Sequence, residues 1–374
     1  MFKKLRPLIF KFSPEAAHSL AIKTLKLNLF PSNRIKETSL LGTKLFGKNI
    51  ITPIGVAAGL DKNAEVYNPL FNLGFGFVEV GTVTPKAQFG NPRPRVFRLE
   101  EDNALINRLG FNNSGSDEIS SRIKKNLPNG FLGINIGPNK DTENRIEDYL
   151  KCFRKFYDLG DYITINISSP NTENLRDFHN KNELEELLDA IQKEKNILKS
   201  NIPIAVKISP DIENNKVDTI AGILLKYSVD IAIISNTTDR NRDGLKNINK
   251  LEKGGLSGKP IETRSNELIR NFYKIFGKNI KIIGVGGVDS GKSAFEKILN
   301  GASLVQLYTG MVYKGPNIAL KISNELIDIL KNQGIKKISE TIGAKNWPWR
   351  ARSEILYSHI FYVKEMRTYW KNTP

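Results

Sequence analysis

Eight short apolar runs, rich in β-branched residues and separated by amphipathic stretches, constrain this chain more than any other feature. They are ITPIGVAAGL (51–60), FGFVEVGTV (75–83), FLGINIG (131–137), DYITINIS (161–168), IPIAVKIS (202–209), DIAIISN (230–236), IKIIGVGGV (280–288) and ASLVQLYTG (302–310). Segments between them, such as NRIEDYLKCFRKFYDLG and ETRSNELIRNFYKIFG, repeat apolar residues at helical spacing. Strands that are almost continuously apolar are those buried on both faces, as parallel strands covered by helices are. Eight strand–helix units over residues 50–333 predict an α/β chain folded as a (β/α)8 TIM barrel, with an open doubly wound sheet as the competing topology. The runs also end alike, in AGLDK, EVGTVTP, NIGPN, NISSPNT, KISPD, SNTT, GVGG and LYTG. Polar residues and glycines therefore collect at the strand ends where a barrel gathers its active site, which eight unrelated core strands do not require.

Two regions fall outside the repeat, giving a predicted division into residues 1–40, 41–336 and 337–374. At the N-terminus Phe2, Leu5, Leu8, Ile9 and Phe12, then Leu20, Leu25 and Leu27, are interleaved with Lys and Arg. This predicts two short amphipathic helices around Pro14, serving either a membrane surface or a cap on the barrel bottom. At the other end KNWPWRARSEILYSHIFYVKEMRTYWKNTP (345–374) holds all three tryptophans, a basic aromatic extension of unassigned role. The 56 Lys and Arg exceed the 39 Asp and Glu by 17, but they form no block of like charge, which argues against a nucleic-acid partner. Compositional drift and an anionic membrane surface, where each basic residue contributes about 1 kcal/mol, are the remaining explanations. MFKKLRPLIFKFSPEAAH is too interrupted for a signal peptide, and the uncharged run Ile298–Tyr313 contains Asn300 and Gln306, unlike a spanning helix. The single cysteine, Cys152, excludes an internal disulfide and a Cys-rich metal site, and fits a reducing compartment. No metal is expected.

The most reactive-looking stretch is Ile163 to Thr172, ITINISSPNT, a strand pattern broken by two serines and a proline between two asparagines. The chain has only three histidines, His18, His179 and His359, so a histidine-activated nucleophile has few partners. Gly284, Gly286 and Gly287, followed by Tyr308, Thr309 and Gly310, mark the ends of the seventh and eighth runs, where barrels commonly hold a phosphate. Gly254, Gly255 and Gly258 offer another close backbone approach, so a phosphorylated cofactor is one reading and ordinary glycine turns the other. Lys62 and Lys207 at strand ends are solvated if they point outward; inside the mouth each needs an anion, which a reduced anionic flavin would supply. Asn107, Asn135, Asn166, Asn171 and Asn236 are each explicable as turn residues, but together they present donors and acceptors suited to a flat imide or carboxylate ligand.

AAGLDKN, EVGTVTP, NPRPRVFRL, INRLGFNN, NISSPNT, VKISPD, SNTT, GGLSG, GVGGVDS and GASLVQLYTG, in this order from about residue 5 to about 335, closely resemble the quinone-dependent, membrane-associated class (class 2) of dihydroorotate dehydrogenase. The resemblance implies an FMN-binding (β/α)8 barrel with a small N-terminal helical domain. It implies oxidation of dihydroorotate to orotate in pyrimidine biosynthesis, with electrons leaving through FMN to a membrane quinone. It implies FMN contacts at Ala58, Gly59, Leu60, Asp61, Lys62, Thr82, Asn135, Asn166, Lys207, Ser235, Gly258, Gly287, Tyr308 and Thr309. Substrate contacts are implied at Lys62, Asn107, Arg108, Leu109, Gly110, Phe111, Asn166, Asn171, Asn236 and Thr237, with Ser169 as the catalytic base and hydride passing to flavin N5. His18 and Arg98 match positions lining the quinone tunnel, which the N-terminal helices form against the membrane. A monomer, peripheral on the cytoplasmic side of the cell membrane, is expected. Related cytosolic classes carry a cysteine at the base position, whereas Cys152 falls in a predicted helix. A serine hydroxyl is a weak base, so onward proton transfer through Thr172 and a water is a further expectation.

Two rival readings remain at the level of sequence. A tRNA-dihydrouridine synthase, another FMN barrel, explains the positive charge but calls for a cysteine acid in an active-site loop. A non-catalytic basic binding protein predicts a colourless preparation and leaves the strand-end residues without a purpose.

Overall fold

In a computed structural model, which describes residues 2–28, 35, 38–240 and 242–346, all eight runs become parallel strands of one closed barrel. They are β1 (Ile54–Val56), β2 (Phe77–Val83), β3 (Phe131–Ile136), β4 (Tyr162–Asn166), β5 (Ile204–Ile208), β6 (Ile231–Ile234), β7 (Lys281–Val285) and β8 (Leu304–Leu307). Pairing of Val305 with Ile54 closes β8 onto β1, so the open-sheet alternative is excluded. Every residue of β2, β3, β4 and β5 is buried, which is why these strands are so uniformly apolar in sequence.

Two of the outer helices start on side-chain caps that their sequences supply. Asn144 Oδ1 accepts the Glu147 N–H at 3.0 Å to open Arg145–Phe156, and Ser290 forms a reciprocal capping box with Ser293 to open Gly291–Asn300. Such caps contribute about 1 kcal/mol each. Their inner faces pack on the barrel; Arg145–Phe156 buries Tyr149, Cys152, Phe153 and Phe156.

Space inside the barrel is set by glycines opposite large rings. A Cβ on Gly133 would lie 2.1 Å from Tyr162 Cζ, and one on Gly55 would lie 2.4 Å from Phe77 Cε1, so these rings fill volume that any side chain there would contest. The bottom is plugged by a hairpin, Thr43–Leu45 with Lys48–Ile50, whose Leu45 and Ile50 join Phe77, Phe131, Tyr162, Ile231, Ile283 and Leu304 in one cluster. This hairpin turns at Phe46–Gly47, both at positive φ (46° and 82°). Such turns usually advertise themselves with Asn-Gly or Asp-Gly, and a phenylalanine there hides the signal.

The two N-terminal helices form as expected, Phe2–Ile9 and Pro14–Lys26, the second with Ser13 as N-cap and Pro14 in its first turn. They do not cap the bottom. Glu15 meets Arg95 at 3.0 Å and Lys26 meets Glu65 at 2.6 Å, which places the second helix over the C-terminal ends of the strands. A three-stranded antiparallel sheet, Val96–Leu99, Ala104–Asn107 and Gly255–Gly258, stands beside it on the same face. The tryptophan-rich stretch from residue 347 lies outside the described residues.

Candidate active site

A cavity partly open to solvent occupies the top of the barrel between the strand ends and the antiparallel sheet. Its walls are made by the predicted strand-end residues. Ala58, Gly59, Lys62, Thr82, Asn107, Leu109, Gly110, Phe111, Asn166, Ser169, Asn171, Lys207, Ser235, Asn236, Thr237, Gly258, Gly287, Tyr308 and Thr309 all line it. Leu60, Asp61, Asn135 and Arg108 do not.

Each of those four has another place. Asp61 caps the following loop, its carboxylate accepting the Glu65 and Val66 N–H groups at 2.7 and 2.8 Å; burial pushes it up to about 6. Leu60 is buried beside it. Asn135 lies one layer below, where its Oδ1 accepts from Thr82 Oγ1 (2.7 Å) and Asn166 Nδ2 (3.2 Å) and so aims both at the cavity. The Arg108 guanidinium turns to the rim, bonded to Glu252 at 2.6 Å and stacked 4.5 Å from the Phe97 ring centre.

The two serines of NISSPNT have different duties. Ser168 is fully engaged: its hydroxyl donates to Asn166 Oδ1 and accepts from Asn236 Nδ2, both at 2.9 Å. Among the described residues Ser169 Oγ accepts only the Asn171 N–H, at 3.2 Å, and its own proton has no acceptor at the cavity wall. Asn171 Nδ2 in turn reaches Asn107 Oδ1 at 3.4 Å, joining the loop to the antiparallel sheet. No hydrogen bond links Thr172 to Ser169 among the described residues.

Neither described histidine serves Ser169. His179 Nε2 accepts the Ser209 N–H at 3.1 Å while Nδ1 donates to Arg176 O at 2.9 Å, and burial pushes it down to about 4, so it is a neutral structural group. His18 is pushed down to about 3, first by burial and then by the Lys62 cation, which sets it beside the cavity's lysine. Lys62 Nζ donates to Gly59 O at 2.7 Å; burial, with nearby Arg95, pushes it down to about 8. Arg98 donates to Phe10 O (3.2 Å) and Phe12 O (2.9 Å) and lies over the Phe10 ring at 4.4 Å, so it fastens the turn between the N-terminal helices. Neither His18 nor Arg98 lines the main cavity.

Glycines at the phosphate-type end serve the protein's own packing first. A Cβ on Gly287 would lie 2.4 Å from Glu262 Cβ, and one on Gly310 2.3 Å from Val288 O. Gly59 differs: at φ 101° its added Cβ would meet only Tyr308 Cε2, at 3.7 Å, and otherwise enter the cavity.

Sequence reading missed the groups underneath and behind. Glu79, Tyr162 and Gln306 form a hydrogen-bonded layer inside the barrel, and Lys207 lies 3.7 Å from Glu79. Glu79 within β2 and Gln306 within β8, polar side chains inside otherwise apolar runs, were the available signal. Arg176 pins two loops at once, donating to Ser168 O (3.3 Å) and Thr237 O (3.1 Å) while paired with Asp211 and Asp239. Cys152 faces the barrel wall, 3.8 Å from Val83 O; burial raises its thiol, so it offers no acid to the cavity.

Comparison with known proteins agrees with this geometry. Residues 40–330 match the dihydroorotate dehydrogenase family profile. The chain is 45% identical over 340 residues to dihydroorotate dehydrogenase (quinone) of Bartonella tribocorum, covering 90% of this chain and 94% of the relative. It is 44% identical to the protein of the same description from Rhizobium johnstonii, covering 94% and 98%. The DHODH of Eimeria tenella solved with ferulenol superposes with a TM-score of 0.86 at 36% identity, covering 90% of this chain and 96% of that one. On this breadth of match, and with the barrel and its strand-end residues in the expected order, the chain belongs to the dihydroorotate dehydrogenase family, alongside its quinone-dependent members.

Proposed function

We propose that this protein oxidises dihydroorotate to orotate for pyrimidine synthesis, with FMN bound in the barrel mouth and a membrane quinone as final acceptor. The observation that carries the reading is Ser169: an uncommitted hydroxyl on a cavity wall shared with Asn107, Asn166, Asn171 and Asn236. The residues present suit FMN. The buried Lys207 ammonium lines the cavity and, among the described residues, has only the 3.7 Å ion pair to Glu79, leaving donors for an anionic ligand. Thr82, Asn166, Ser235 and Thr309 add polar groups, and the backbone at Gly286, Gly287 and Gly310 closes the end where a phosphate would sit. FMN, when bound, would supply the two-electron acceptor.

The chain's own part is positioning and proton handling. Asn107, Asn171 and Asn236 hold a planar carboxylate-bearing substrate, Lys62 balances its charge, and Ser169 Oγ receives the proton removed from carbon. Dihydroorotate gives up two electrons and two protons; the quinone takes two of each and becomes quinol. The decisive test is the visible spectrum of purified protein: a flavin band that bleaches with anaerobic dihydroorotate and returns with quinone supports the reading, and a colourless protein or an unbleached band refutes it.

Membrane contact is assigned to the N-terminal helices. Leu5, Leu8, Phe12, Leu20 and Leu27 are exposed there among basic residues, and no described helix is long and apolar enough to cross a membrane. His18, on the second of these helices, and Arg98, on the strand Val96–Leu99, would border the quinone's path. Leu8→Ser with Phe12→Ser should weaken binding to anionic vesicles about 30-fold, from roughly 2 kcal/mol of lost apolar insertion. Bleaching by dihydroorotate should be unchanged; undiminished sedimentation with vesicles would refute the assignment.

A further inference from the structure

Glu79 is a buried carboxylate with no role in the reaction so far described. Three neutral donors converge on it: Asn135 Nδ2 at 2.8 Å, the Tyr162 hydroxyl at 3.0 Å and Gln306 Nε2 at 2.9 Å. The Lys207 ammonium lies 3.7 Å away, and both charged side chains are almost wholly shielded from solvent, at 0% and 6% exposure. Burying an ion pair costs more desolvation than its attraction commonly returns, and an apolar pair of equal volume would fold at least as well. The placement is asymmetric. Lys207 lines the cavity, whereas Glu79 sits below it and touches the cavity only through Lys207 and through Asn135, which orients Thr82 and Asn166.

We propose that Glu79 is a positioning residue that offsets the Lys207 charge from beneath and thereby sets the reduction potential of the bound FMN. The inference rests on the FMN reading above. Lys207 alone, in a site of low polarity, favours whichever ligand state carries more negative charge, which for a flavin is the reduced one. Held without restraint, that preference would keep electrons on the cofactor and slow their passage to quinone. A carboxylate 3.7 Å behind the ammonium reduces the preference without contacting the ligand.

Glu79→Gln tests this with little structural change. Its new amide N–H groups can be accepted by the Tyr162 hydroxyl and by Gln306 Oε1, a buried atom with no hydrogen-bond partner at present. Tyr162→Phe is the control: it removes one hydrogen bond to Glu79 and no charge. FMN content is read from the visible spectrum of the full-length protein, and the midpoint potential by equilibration with a reference dye. Glu79→Gln should favour reduced over oxidised FMN about tenfold more than the parent, a rise of about 30 mV for a two-electron couple. Tyr162→Phe should move it less than about threefold. An unchanged or lowered potential in Glu79→Gln, an equal shift in Tyr162→Phe, or loss of FMN from Glu79→Gln alone would overturn the inference. A parent protein without FMN would overturn the cofactor reading itself, and the inference with it.

Discussion

Ser169→Ala should retain FMN and reduce it with dihydroorotate roughly 10²–10⁴-fold more slowly, the range a positioned proton acceptor contributes. The prediction is sharp because the loop offers an internal comparison. Ser168 differs from Ser169 by one position, yet its hydroxyl spends both its donor and an acceptor site on Asn166 and Asn236. Ser168→Ala should therefore release Asn236 and raise KM for dihydroorotate, with a smaller loss of flavin-reduction rate at saturation. Ser169→Ala removes only the acceptor of the Asn171 N–H, so folding and FMN content should be little changed. Stopped-flow bleaching at saturating dihydroorotate separates the two variants. Near-parental bleaching in Ser169→Ala, or an equal rate loss in Ser168→Ala, would refute the assignment of the base.

No direct hydrogen bond leads from Ser169 to Thr172 among the described residues. Thr172 follows three residues later, but the chain turns at Pro170 and the Thr172 carbonyl, not its hydroxyl, is used, accepting the Leu175 N–H at 3.3 Å. A relay from Ser169 through Thr172 therefore needs a bridging water. Thr172→Ala tests it by the pH profile of bleaching: an unshifted profile and rate exclude Thr172 from the route.

Much of this architecture is legible in sequence because parallel strands buried on both faces write themselves as unbroken apolar runs, and because a barrel sends all its strand-end polar residues to one mouth. What is not legible depends on distance along the chain. Gly255–Gly258 reads as a glycine loop approaching a ligand, yet it pairs with Ala104–Asn107, and nothing local in GLSG announces a partner so far away. Arg176 reads as one more basic residue until the loops it clamps, at Ser168 and Thr237, are brought together. Arg108 sits in a motif whose neighbours Asn107 and Leu109 face the cavity, but its side chain finds Glu252 at the rim. Glu79 was visible as a charge on an apolar strand, and the Lys207 partner could have been guessed only by placing both on inward-facing positions.

Lys297→Met should stabilise the protein at neutral and acid pH. The lysine lies on the outer helix Gly291–Asn300, is 0% exposed, and donates to Ser265 Oγ and Asn266 Oδ1 at 2.9 Å each, with no ion pair to a carboxylate among the described residues. Burial pushes its ammonium from 10.5 down to about 7, against a partial opposing pull from Glu262; Lys259 adds to the depression. Between those two values the unfolded chain binds more protons than the folded one, so this group's contribution to stability rises with pH across that window. Its cost is fully present below about pH 7 and gone above about 10.5. The full shift corresponds to roughly 5 kcal/mol, and relaxation together with the hydrogen bonds lost on replacement reduces the expected gain to ~2 kcal/mol at pH 6. Urea unfolding at pH 6, 8 and 10 should show the variant's advantage shrinking toward zero; a variant less stable at pH 6 would refute it. The same substitution should weaken FMN binding. Ser265 Oγ, which Lys297 holds, donates to Val285 O at 2.5 Å at the strand end that leads into Gly286 and Gly287. A gain in stability joined to a loss of cofactor would mean that the barrel keeps this destabilising cation for the site it steadies.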